Sequence, residues 1–105
     1  MTEENLEITQ NIKDGVCRIS LKGRVDSNTS DPLLAKLEAA IEEGNKNIIL
    51  NMYHVQYLSS VGIRIILKTY KRLSEEGGSF KIEHPSETVK NVLGMVALQE
   101  MLVTN

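Results

Sequence analysis

The feature that most constrains this chain is a long amphipathic segment held between two short apolar runs. Ser60 to Glu76 places Ile63, Ile66, Leu67, Tyr70 and Leu73 at steps of three and four, which is one stripe of a helix, and Gly77-Gly78 ends it. Before it, Asn47 to Asn51 holds the triplet Ile48-Ile49-Leu50, too short for a helix. After it, Ser79 to Glu83 sets Phe80 and Ile82 on one face of a strand. Strand, helix and strand in that order make a right-handed crossover, with the helix laid on the sheet. The unbroken triplet is expected to be a strand buried on both faces, as in a sheet covered by helices.

The remaining elements extend this unit. Leu6 to Gln10 reads as a first strand, with Leu6, Ile8 and Ile12 on one side. Lys13-Asp14-Gly15 is a turn, with Gly supplying a positive φ. From Val16 to Lys22 the chain alternates: Cys17, Ile19 and Leu21 on one face, Val16, Arg18, Ser20 and Lys22 on the other. Gly23 to Asp31 is polar and turn-rich. Asp31-Pro32 then reads as a helix start, Asp as N-cap and Pro at the first helical position. Leu33, Leu34, Leu37, Ala40 and Ile41 follow at helical spacing until Gly44 and Asn45. Pro85-Ser86 opens a third helix through Val89, Val92 and Leu93, with Gly94 marking its end. Ala97 to Val103 is short and apolar, a turn of helix running into a strand. The expectation is one α/β domain over residues 1–105, with helices mainly on one face of the sheet.

Composition narrows the function. A net charge of −2 argues against a nucleic-acid partner, which would require a basic patch to displace counterions from phosphates. Cys17 is the only cysteine, so no intrachain disulfide forms, and its place in an alternating run marks it as a buried structural thiol. The two histidines, His54 and His84, stand far apart without a second cysteine, so no metal site is expected. The acidic opening Met1-Thr2-Glu3-Glu4-Asn5 has no hydrophobic stretch behind it and is not read as a signal peptide. No apolar run approaches the roughly 18 residues of a membrane span. A cytoplasmic, bacterial setting without direct membrane insertion is the expectation.

Catalysis finds little support. Ser60-Val61-Gly62 carries only the tail of a Gly-x-Ser-x-Gly elbow, and no Ser/His/Asp set or phosphate-cradling glycine loop accompanies it. No enzyme activity and no cofactor are expected. Attention falls instead on Tyr57-Leu58-Ser59-Ser60-Val61-Gly62-Ile63, where a loop after the 48–50 strand enters the helix at two hydroxyls. The plain structural role is that one serine caps the helix and the other faces solvent. Two features add a functional reading. Gly62 in the first turn weakens the helix by about 0.5–1 kcal/mol relative to alanine, and its missing side chain permits another backbone or a partner to approach closely. A phosphate on Ser60 would meet the free N–H groups and dipole of a helix start, and would add about 1.5–2 negative charges beside Leu58 and Val61.

These residues resemble a known family. Gly23-Arg24-Val25-Asp26 with Thr29, and Ile48-Ile49-Leu50-Asn51 followed by Val55 and Leu58-Ser59-Ser60-Val61-Gly62-Ile63, resemble the two signatures of STAS domains. The similarity extends over nearly the whole chain, with the stand-alone anti-sigma factor antagonists as the nearest members. It implies a STAS fold with a mixed central sheet of four to five strands. It also implies a partner, an anti-sigma factor with serine kinase activity, and a serine phosphatase that reverses the modification. Carried over residue by residue, the phosphorylated serine is Ser60. Asp26, Thr29, Leu58, Ser59, Ser60, Val61, Gly62, Arg64 and Ile65 are the candidate partner-binding residues. Val61 and Ile65 join this set because they fall off the apolar stripe of the helix. The family's Asp before the phosphoserine is Ser59 here, and the following Ser/Thr is Val61. Arg64 is an addition, one helical turn beyond Ser60. Two other readings stand beside the switch: a structural STAS subunit of a membrane transport complex, and a nucleotide-binding sensor.

Overall fold

In the computed structural model, which describes residues 6–96, the chain opens with a hairpin. Strands β1 (Leu6–Lys13) and β2 (Val16–Val25) pair antiparallel across Asp14-Gly15, whose φ angles of 54° and 79° are those of the two-residue turn that matches strand twist. Helix α1 (Ser30–Glu42), strand β3 (Asn47–Leu58), helix α2 (Ser60–Glu75), strand β4 (Ser79–Glu83) and helix α3 (Glu87–Met95) follow. The sheet order is β1-β2-β3-β4, with β2, β3 and β4 parallel, so the sheet is mixed and four-stranded among the described residues. The expected segments Met1–Asn5 and Ala97–Val103 lie outside the described residues.

One face of the sheet is apolar. Cys17, Ile19, Leu21 and Val25 of β2, Ile48, Leu50 and Met52 of β3, and Phe80 and Ile82 of β4 are buried in one cluster with Leu33 and Leu37 of α1, Ile66 and Leu73 of α2, and Val89 and Leu93 of α3. Burial also pushes the Cys17 thiol pKa up, against the nearby charge of Lys36, as suits an unreactive structural cysteine. The other face is polar: Arg18 of β2 donates to Glu83 of β4 at 2.7 Å, reaching across β3. Ile49 lies on that face and is only half-buried, so the triplet is covered on one side, not both. Ile12, facing the same way as Cys17, sits beyond the helices at 52 % exposure.

The hairpin strands run further than the sequence reading, β1 to Lys13 and not Gln10, β2 to Val25 and not Lys22, because β1 pairs with β2 right up to the turn and β2 pairs with β3 as far as Val25. Three further differences have physical reasons of their own. The loop expected after Asn51 is strand: β3 continues to Leu58. Its pairing with β2 passes from Ser20–Asn51 to Lys22–His54 and from Gly23–Val55 to Arg24–Tyr57, so β3 inserts one extra residue at each step. The inward residues then fall at Met52, Val55 and Leu58, a spacing of three that does not read as strand alternation. Helix α1 starts two residues early, with Thr29 and not Asp31 at the N-cap; no side-chain hydrogen bond caps it. Pro32 still fits, because first-turn N–H groups have no intrahelical acceptor to lose.

The third difference concerns α2. Its buried residues are Gly62, Ile65, Ile66, Thr69 and Leu73; Ile63 and Tyr70 flank this stripe, and Leu67 is 36 % exposed. The helix is turned by less than one residue from the expected stripe. Gly62 accounts for the turn: a Cβ there would lie 2.6 Å from both Leu58 Cδ1 and Val25 Cγ1, so only a glycine can face the ends of β2 and β3 this closely.

Candidate functional site

The parallel strands β2 and β3 end side by side, Val25 opposite Leu58. Both then turn away, and the chain leaving each builds one half of the site. After β3, Ser59 is extended (φ −89°, ψ 173°) and its N–H donates to the Val25 carbonyl at 2.9 Å. Its Oγ accepts from the Gly62 N–H at 3.3 Å, and its carbonyl accepts from the Ile63 N–H at 3.0 Å. Ser59 is therefore the N-cap of α2, and Ser60 is the first helical residue, exposed to solvent. Among the described residues no hydrogen bond engages the Ser60 hydroxyl.

After β2 the chain makes a tight turn around Asp26. Its Oδ1 accepts from the N–H groups of Asn28 at 2.9 Å and Thr29 at 3.3 Å, the pattern by which an aspartate closes a turn on its own backbone. Thr29 Oγ1 completes the loop by donating to the Arg24 carbonyl at 2.8 Å and accepting from the Asp26 N–H at 3.0 Å. Partial burial acts to raise the Asp26 pKa. The hydrogen bonds from Asn28, Arg24 and Thr29, together with the Arg24 charge, outweigh it and hold the carboxyl below the usual carboxylate value. Arg24 Nε reaches Asp26 Oδ2 at 3.4 Å, and its guanidinium carbon lies 4.3 Å from the centroid of the Tyr57 ring.

The nine candidate residues divide by burial. Asp26, Ser59, Ser60, Val61 and Arg64 reach the surface at least in part. Leu58 (4 % exposed) and Ile65 (6 %) are core residues, and Gly62 and Thr29 are buried as well. Ile65 was expected on the surface because it falls off the stripe centred on Ile63 and Tyr70; the turn of α2 brings it inward. The close approach expected at Gly62 is made by the domain's own Val25 and Leu58. Thr29 acts on the turn from within, through the two hydrogen bonds of its hydroxyl.

A family model for the STAS domain matches residues 7–105. The chain belongs to the STAS domain family. Its relatives include the anti-sigma F factor antagonist of Paenibacillus polymyxa, 28 % identical over 99 residues that span 93 % of this chain and 85 % of the relative. Among solved structures, an anti-sigma factor antagonist from Mycobacterium paratuberculosis shares the fold with a TM-score of 0.85 at 21 % identity, over 93 % of this chain and 84 % of that one. The phosphorylated form of the Bacillus cell fate determinant SpoIIAA does so with a TM-score of 0.74 at 22 % identity, over 94 % and 92 %.

In this STAS domain, Arg24 and Tyr57 lie within the two sequence motifs, but the sequence alone does not bring them together. Their contact is a cross-strand pair, and it can be foreseen only if β3 is known to run past Asn51 with its extra residues in place. A separate concavity of about 370 Å³ opens between the irregular half of β3 and the start of α3, lined by Lys22, Tyr53, His54, Val55, Ser86 and Thr88. None of the nine candidate residues lines it. Ser86 there caps α3, accepting from the Val89 N–H at 3.2 Å and donating to the Val55 carbonyl at 2.7 Å. Among the described residues no cluster of three or more His, Cys, Asp and Glu could hold a metal ion. No helix among them is long and apolar enough to cross a membrane.

Proposed function

We propose that this STAS domain is an anti-sigma factor antagonist, a cytoplasmic binding protein and not an enzyme. It holds an anti-sigma factor on the surface formed by the Asp26 turn, the Arg24–Tyr57 pair and the start of α2. Its affinity is switched by phosphorylation of Ser60: the anti-sigma factor acts as the kinase, transferring the terminal phosphoryl of ATP to Ser60 Oγ, and a phosphatase removes it. The observation that carries this reading is the division of labour between the two serines. Ser59 is committed to the cap, while Ser60 is exposed with its hydroxyl unengaged.

The family's aspartate before this serine is absent here, and the geometry gives that departure a limited meaning. Serine and aspartate are comparable N-caps, so Ser59 keeps the capping role while giving up the charge. A phosphate on Ser60 would lie at the positive end of the α2 dipole, where the first turn holds no acidic residue, so the fold accommodates it. A partner fitted to a small hydroxyl meets instead a bulky dianion beside the half-buried Val61. The test is co-purification of the full-length chain from its own cells, followed by mass spectrometry of bound proteins and of the chain. An ATPase-type anti-sigma factor in the unmodified complex, with phosphate on Ser60 only in the unbound chain, is the expected result. A transport ATPase in its place would assign the domain to the structural-subunit reading. Phosphate on Ser59 would overturn the assignment of the switch.

A further inference from the structure

We infer that the exposed face of α2 is a basic docking strip that fits an acidic surface of the partner protein. This rests on the binding reading above and adds the chemistry of what is bound. Ser60, Arg64, Leu67, Lys68 and Lys71 are all exposed, and their offsets of four, seven, eight and eleven residues bring them onto one side of the helix. The strip runs about 16 Å from Ser60 to Lys71 at 1.5 Å per residue. Glu75 closes its far end.

The local charge arrangement works against the isolated helix. Arg64 and Lys68 stand four apart and Lys68 and Lys71 three apart, spacings at which like charges repel and weaken a helix. None of the three forms an ion pair among the described residues, whereas Arg18, Arg24, Lys46 and Arg72 each have a carboxylate partner. The helix holds four of the chain's 12 basic residues and one of its 14 acidic ones, in a protein of net charge −2. Such a strip is relieved by an acidic surface laid along it. An anionic membrane is a poorer match. A membrane-surface helix submerges a broad apolar face, and the apolar face of α2 is already spent on the core, leaving Leu67 alone at 36 % exposure. The strip also begins at Ser60, so a phosphate there subtracts charge from its near end, one turn from Arg64.

The test places a photo-crosslinking benzoylphenylalanine at Leu67 of the full-length chain in its own cells. A second version carries it at Thr9, exposed on the far face of the sheet, as a control. The proposal expects a protein adduct through Leu67 that maps to an acidic segment. It also expects the double variant Lys68→Glu/Lys71→Glu, with unchanged circular dichroism, to slow association with that protein about tenfold at low salt and to flatten the salt dependence. An acidic protein other than an anti-sigma factor captured through Leu67 supports the strip and removes the functional reading. An anti-sigma factor captured through Thr9 alone keeps the antagonist role but overturns the strip and the binding surface proposed around it. The strip also falls if no adduct forms at Leu67, if the adduct maps to a neutral or basic segment, if association is unchanged in the double variant, or if the chain adsorbs to phosphatidylserine vesicles without a protein adduct.

Discussion

Replacing Gly62 with alanine sets two effects of known sign against each other. Alanine removes the conformational freedom of glycine and favours the helix by about 0.8–1 kcal/mol. The added methyl must also fit where Leu58 Cδ1 and Val25 Cγ1 each lie 2.6 Å from the ideal Cβ position. Leu58 can move the end of its side chain. Val25 is branched at Cβ, fully buried and part of β2, so it yields only with the strand. Overpacking of a filled core costs about 1–3 kcal/mol. The packing effect wins, and a net loss of about 1 kcal/mol is expected, which lowers Tm by about 4–8 °C for a domain of this size. Thermal and urea denaturation followed by circular dichroism read this directly. A Gly62→Ala variant as stable as the parent, or more stable, would refute the account of how α2 is seated on the ends of β2 and β3.

Other substitutions separate capping, core and surface roles. Ser59→Ala removes the α2 cap and should cost about 0.5–2 kcal/mol, while Ser60→Ala should stay within about 0.5 kcal/mol of the parent in the same urea titration. Ile65→Asp should leave the chain largely unfolded, because the loss of a buried isoleucine alone costs about 2–5 kcal/mol and a carboxylate would be left unpaired in the core; a native far-UV spectrum would place Ile65 at the surface after all. Asp26→Asn tests the turn through pH. The folded pKa of Asp26 lies below its ordinary 3.8, so the ionised carboxylate stabilises the fold fully above that value and the contribution disappears as pH falls through the folded pKa. The parent should accordingly be the more stable of the two at pH 6, with the gap closing below about pH 4; a gap independent of pH would deny the carboxylate that role.

Much of the fold is legible in the chain. Alternation over Val16–Lys22 and Phe80–Ile82, the helical stripe of α1 and the capping serine of α3 all translate directly into structure, because each rests on local periodicity or backbone chemistry. What escapes the sequence rests on contacts between distant segments. Periodicity fixes that α2 is amphipathic but does not choose between stripes centred one residue apart; the choice is made by Val25 and Leu58 closing on Gly62. The second half of β3 escapes because its two extra residues replace alternation with inward steps of three. The site follows the same division. Ser59 and Ser60 are visible in the motif, and which of them caps is settled by one hydrogen bond from Gly62. Arg24 and Tyr57 meet only once the strand register is known.

The central claim is that an exposed hydroxyl at the start of α2 controls binding of an anti-sigma factor. The most direct measurement is calorimetric titration of the co-purified anti-sigma factor with three forms of the chain: unmodified, carrying phosphoserine installed at position 60, and carrying it at position 59. The account expects tight binding of the unmodified chain. Phosphoserine at 60 should weaken binding about 30-fold or more, the loss of roughly 2–5 kcal/mol that a charge forced into a closed interface produces, with an unchanged circular dichroism spectrum. Phosphoserine at 59 should instead disturb the helix cap and lower stability. Equal affinity of the unmodified and Ser60-phosphorylated chains would contradict the account and leave a constitutive binding module in its place.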